Sequence, residues 1–107
     1  MNDCEVREQD GYRVVHVRGE VDLSWSQKLR KAVLDALATG QPVAVDLSKV
    51  EYIDSSGIAA LVEGFQQARG KSQRFVLIAV SAPVFSVLQL ARLDRVFPIA
   101  DSLSEVK

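Results

Sequence analysis

Asp54, Ser55, Ser56 and Gly57 bring a carboxylate, two hydroxyls and a side-chain-free backbone unit to one point of the chain. The stretch before them, "VAVDLSKVEYI", is largely apolar, and the stretch after them has helical period, so they mark a strand-to-helix turn. Such a turn suits three chemistries. One is helix capping, in which a Ser or Asp oxygen takes up a backbone N–H left unpaired in the first turn. Another is nucleophilic catalysis from a serine exposed on a sharp bend. The last is acceptance of a phosphate by a hydroxyl.

Catalysis lacks its supporting groups. The nucleophile elbow needs glycine two residues before the serine, and Ile53 stands there. A base is also required, and the one histidine, His16, falls in the middle of an alternating strand pattern. Gly19-Glu20-Val21-Asp22 and Asp54 are too scattered to bind a metal, and no glycine-rich phosphate cradle exists. Cys4 is the single cysteine, so neither an internal disulfide nor a zinc cluster is expected. The sequence thus predicts no catalytic residue, no metal and no cofactor.

The elements that position the turn follow from periodicity. Asp10-Gly11 separates "CEVREQ" from "YRVVHVRG" as a hairpin turn, with Val15 and Val17 alternating against His16 and Arg18. The polar first strand suits a sheet edge. Trp25, Leu29, Ala32, Val33, Ala36 and Leu37 line one face of a helix that Ser24 could cap and Gly40 and Pro42 could end. Val43 to Leu47 reads as a strand buried on both faces. Ile58, Leu61, Val62, Phe65 and Ala68 form a second helical stripe that closes near Gly70. Arg74 to Val80 is the next strand. Ser81 and Pro83 open a third helix with Val84, Val87, Leu88 and Ala91 inward. "RVFPI" is a short last strand or extended piece kept off the sheet centre by Pro98, and Ser102 could cap a final helical turn or two. The order β-β-α-β-α-β-α-β-α predicts one α/β domain over residues 1–107, with a mixed sheet and about four helices. In such sheets functional loops lie beyond the carboxyl ends of the parallel strands, where Asp54 to Gly57 fall.

Composition narrows the function classes. The 107 residues are 48% hydrophobic and 25% charged, ordinary for a globular domain. Thirteen basic and 14 acidic residues give a net charge of −1, which argues against nucleic-acid binding. No apolar run is long enough to cross a bilayer, and "MNDCEVREQD" has no signal-peptide core, so a cytoplasmic location without membrane insertion is expected. The apolar stripes all serve one core, which suggests a monomer.

"VRGEVDLSWSQKL", "VAVDLSKVEYIDSSGIAALVEGFQQAR", "RFVLIAV" and "VLQLARLDRVFPIADSLSEV" occur in the order and spacing of the STAS domain. The chain resembles the bacterial anti-sigma factor antagonists from about residue 10 to its end. The most specific parts are the Gly-Glu-x-Asp turn at Gly19 to Asp22 and the segment from Asp46-Leu47-Ser48 to Gly57. The resemblance implies that Ser55 is phosphorylated by an anti-sigma factor that is itself an ATP-using serine kinase. The unphosphorylated antagonist would bind that kinase and free a sigma factor, and a serine phosphatase would restore Ser55. Asp54, Ser56 and Gly57 would shape the acceptor loop, and Asp22 would join the partner surface from a neighbouring loop. Departures from the family pattern are the single Gly70 after the second helix and Arg92 before Leu93, where glycines are common.

The physics of the turn agrees with that implication. Free N–H groups at a helix N-terminus tolerate a phosphate, so modification should leave the fold intact. A phosphate adds about −1.5 to −2 of charge, which a docking surface would bury without a matched cation. Gly57 would let a partner approach the hydroxyl closely. A rival reading is a STAS subunit that acts as an assembly module on a phospholipid-type ABC transport complex at the membrane, and it needs no sigma factor.

Overall fold

The structure, a computed structural model, describes residues 2–106. The sheet starts at Asp10-Gly11, whose φ values of 52° and 85° are the primed-turn geometry that matches strand twist. Strand β1 (Asp3–Gln9) thereby folds back antiparallel on β2 (Tyr12–Val21), with Gln9 opposite Tyr12. All later pairings are parallel: β2 with β3 (Val43–Ile53), β3 with β4 (Phe75–Ile78), and β4 with β5 (Ile99–Ala100). Helices α1 (Ser26–Leu37), α2 (Ser55–Gly70) and α3 (Ala82–Leu90) connect successive parallel strands.

Strand order in space is chain order, β1-β2-β3-β4-β5. Right-handed crossovers that always step the same way place every helix on one face of the sheet. Accordingly Leu29 and Val33 of α1, Leu61 of α2 and Leu88 of α3 share one core with Val15, Val45 and Leu77 of the sheet. The other face carries Tyr12, Val14, Ala44, Val76 and Ile78, covered by Ala100, Leu103 and Val106. That cover is pinned where the Tyr12 hydroxyl and an Arg74 guanidinium N–H both donate to the Val106 carbonyl, at 3.0 and 2.9 Å.

The single α/β domain with a mixed sheet is as the sequence predicts, and several boundaries differ. Strand β3 continues six residues past Leu47, because Val50 and Ile53 still face inward while Ser48, Lys49, Glu51 and Tyr52 are exposed. Ser24 does not cap α1; its N–H and hydroxyl both bond to Asp22 Oδ1, and the helix starts two residues later. Ala91 is exposed at the C-cap of α3 instead of lying inward. The fourth helical element is a 3-10 turn, Leu103–Glu105.

Candidate functional site

Strands β2 and β3 run parallel, with register shifts between His16 and Arg18 and between Gly19 and Glu20, and they end with Val21 opposite Ile53. The next residue on each is an aspartate, so Asp22 and Asp54 open adjacent loops at the carboxyl edge of the sheet. The Asp54 N–H donates to the Val21 carbonyl at 3.1 Å, tying the two loops together. Both aspartates then do the same local work. Asp22 Oδ1 accepts from the N–H of Ser24 at 3.0 Å and its hydroxyl at 2.6 Å. Asp54 Oδ1 accepts from the N–H of Ser56 at 2.9 Å and its hydroxyl at 2.6 Å. The sequence repeats Asp-x-Ser because a carboxylate can close a turn on the residue two ahead.

Asp54 is the N-cap of α2, with extended backbone, and it also accepts from the Gly57 N–H at 3.2 Å. The Ser56 hydroxyl does most to hold its carboxyl below the ordinary carboxylate value. Partial burial opposes this, and the N–H groups of Gly57, Ser56 and Leu23 add to the lowering. The carboxylate is therefore ionised and engaged. Two of the N–H groups expected to be open at the start of α2 are already taken by it, so the helix end is less of an anion cradle than the sequence suggests.

Ser55 is the first residue of α2 and is exposed. Its hydroxyl bonds to none of the described residues, whereas that of Ser56 is committed to Asp54. Of the two serines, only Ser55 presents a free oxygen to solvent. Gly57 faces the other way. A Cβ built on it would lie 2.6 Å from Ile53 Cγ1 and 2.8 Å from Val21 Cγ1, so its missing side chain lets α2 settle on the ends of β2 and β3. Any partner contact at Gly57 would be with backbone.

His16 lies mid-strand as expected. Its Nδ1 is 3.2 Å from Asp46 Oδ2 and its Nε2 is 2.8 Å from Gln9 Oε1, so neither ring nitrogen reaches the Ser55 loop.

Two features of the site were not foreseen. Leu23, next to Asp22, is 74% exposed and apolar on the loop bonded to Asp54. The hydrophobic stripe of α1 assigns it no inward place, which was the available signal. Gly64 is the other. A Cβ there would meet Val33 Cγ1 at 2.5 Å, so it sets how closely α2 crosses α1. Nearby, Arg30 and Glu63 bridge the two helices with paired N–H to carboxylate bonds of 2.7 and 2.8 Å.

A family model described as Mlab, STAS domain, matches residues 4–101. The chain belongs to the STAS domain family. It is 26% identical over 104 residues to an anti-sigma-B factor antagonist of Listeria monocytogenes, covering 95% of this chain and 91% of that one. It is 27% identical over 101 residues to an anti-sigma-F factor antagonist of Mycobacterium tuberculosis, covering 94% and 82%. Its fold is similar to the crystal structure of an anti-sigma factor antagonist from Mycobacterium paratuberculosis, with a TM-score of 0.88, 29% identity and coverage of 98% and 90%. No helix among the described residues is long and apolar enough to cross a membrane.

Proposed function

We propose that this protein is an anti-sigma factor antagonist switched by phosphorylation of Ser55. Its unphosphorylated form binds an anti-sigma serine kinase in the cytoplasm and so releases a sigma factor. The kinase brings the ATP, a serine phosphatase reverses the modification, and the antagonist itself catalyses nothing. The observation that carries this reading is the contrast between the two serines: Ser55 offers an exposed, unbonded hydroxyl at the start of α2, and Ser56 does not. The names of relatives that match nearly the whole chain support the same reading.

The docking surface is built from Asp22, Asp54, Ser55 and Ser56, with exposed Leu23 as its apolar contact, and buried Gly57 supports it from beneath. A phosphate on Ser55 stands beside the ionised Asp54 and faces outward, so it repels the partner without disturbing the core.

The test is titration of Ser55→Ala and Ser55→Asp against the anti-sigma kinase, with mass spectrometry after incubation with ATP. Wild type gains one phosphate on Ser55, and the alanine variant gains none yet still binds. Burying an unmatched carboxylate costs on the order of 3 kcal/mol, so the aspartate variant binds at least ~100-fold more weakly. Equal affinities for the two variants, or a phosphate on Ser56 instead, would overturn the proposal. Capture of a permease and an ATPase in place of a kinase, with no effect of Ser55 on it, would favour the transport-complex reading.

A further inference from the structure

Strand β1 ends the sheet, and nothing among the described residues pairs with its outer side. It is seven residues long, keeps continuous register with β2 and contains no proline or bulge. Edges are usually shortened, bulged, interrupted or charged to stop strand addition; this one keeps its length and register, and its protection is the charge of Asp3, Glu5, Arg7 and Glu8 alone. Its pattern of hydrogen bonding is fixed by the hairpin. Gln9 and Tyr12 flank a two-residue turn and so exchange main-chain bonds, and bonded pairs recur at every second residue from there. Asp3, Glu5, Arg7 and Gln9 therefore turn their N–H and C=O groups toward β2. Cys4, Val6 and Glu8 turn theirs outward. The Cys4 N–H fits this pattern, since it donates to Asp3 Oδ1 at 2.8 Å and not across the ladder.

The charges select one partner and one register. Two copies of β1 can pair antiparallel only if their outward groups, those of residues 4, 6 and 8, face each other. Centred on Val6, the pairing sets Cys4 against Glu8 of the second copy and each Glu5 against the second copy's Arg7. The Glu5–Arg7 pairs occupy the non-hydrogen-bonded positions, where facing side chains come closest. A slip of two residues one way puts Glu5 against Glu5, and the other way puts Arg7 against Arg7. The first slip also sets Asp3 against Arg7 twice and is partly compensated, and the second has no such offset; the Val6-centred register alone of the three pairs opposite charges with no like pair facing. Within one chain Glu5 and Arg7 already share a face and bond at 2.8 and 3.1 Å, so the same groups can exchange partners without changing sides. Val6, 39% exposed, sits on the two-fold axis. An open cavity of about 620 Å³ between α1 and β1, lined by Cys4, Val6, Trp25 and Ala32, leaves side-chain room beside the new pair.

We propose that two copies of this chain associate through β1, in the Val6-centred antiparallel register, to form one continuous ten-stranded sheet. The interface is isologous, as two-fold symmetry requires. Because the two copies of β1 run antiparallel, the two Ser55 loops point to opposite ends of that sheet and both stay open. Three residues on each side bond through the backbone across a small interface, so association is weak and concentration-dependent.

The experiment is analytical ultracentrifugation of the whole chain, alone and in mixtures. Wild type should self-associate with a Kd of about 1 mM or tighter. Glu5→Arg and Arg7→Glu each make both cross-strand pairs repulsive, and each alone should dimerise at least about tenfold more weakly. Mixed, E5R and R7E chains set two basic positions against two acidic ones, and the heterodimer should return to wild-type affinity. That rescue cannot come from either chain's own fold, which thermal melts check separately. A wild type that stays monomeric to about 1 mM, single variants that associate like wild type, or a mixture with no gain would each overturn the proposal.

Discussion

The Ser56 hydroxyl lies 2.6 Å from Asp54 Oδ1, and this one bond separates two adjacent serines into different roles. It closes the turn, lowers the carboxyl's affinity for protons and removes Ser56 as a free hydroxyl. Ser55, one residue earlier, is left as the exposed one.

The cap assignment makes Ser55 dispensable for stability. Asp54, not Ser55, satisfies the first N–H groups of α2. Ser55→Ala and Ser55→Asp should therefore both unfold within about 0.5 kcal/mol of wild type, as surface substitutions do. Urea melts of the three proteins check this, and a loss of 1 kcal/mol or more in the alanine variant would return the cap to Ser55.

Asp54→Ala should cost about 1 kcal/mol at neutral pH through loss of the cap. The cost has a pH signature. The folded carboxyl is held below its ordinary value, chiefly by the Ser56 hydroxyl. A group with a depressed folded pKa stabilises fully above its unfolded pKa, about 3.9. That stabilisation is lost as pH falls through the folded value. The gap in melting temperature between wild type and Asp54→Ala should hold from pH 7 to about pH 5 and close below about pH 4. A gap that persists unchanged at pH 3 would contradict the geometry.

Gly57→Ala should destabilise by about 1–3 kcal/mol, because the new methyl meets Ile53 and Val21 inside 3 Å. Neutral behaviour in a denaturant melt would mean that α2 shifts freely, which the Asp54 to Val21 bond argues against.

Cys4 should be a slow thiol. Burial first, and the negative charge of Asp3 second, push its pKa up to about 11 from 9.0. Two pKa units reduce the thiolate about 100-fold at neutral pH. Alkylation by iodoacetamide should accordingly be about 100-fold slower than for a free cysteine and should accelerate steadily up to pH 10. Rapid labelling at pH 7 would refute the assignment.

Much of this architecture was legible in the sequence because single residue types encoded it. Asp10-Gly11 requires the backbone geometry it adopts, and the stripe from Trp25 to Leu37 has one period and one solution. The second half of β3 was not legible, since Ser48, Lys49, Glu51 and Tyr52 mask an inward pair three residues apart. At the site, the position of Ser55 followed from the turn, yet the cap fell to the neighbouring aspartate. Ser and Asp have nearly equal N-cap preference, so type alone does not choose between Asp54 and Ser55. Gly57 is an inward contact, not an opening toward a partner, because one residue's rotation along a helix exchanges core for solvent.

Asp54 spends its oxygen on the amides of Ser56 and Gly57 before any modification arrives. A phosphate attached to Ser55 would thus find these two amides already taken. Under the proposed switch, the added charge would be addressed to whatever stands opposite, and two messages would share a single shape.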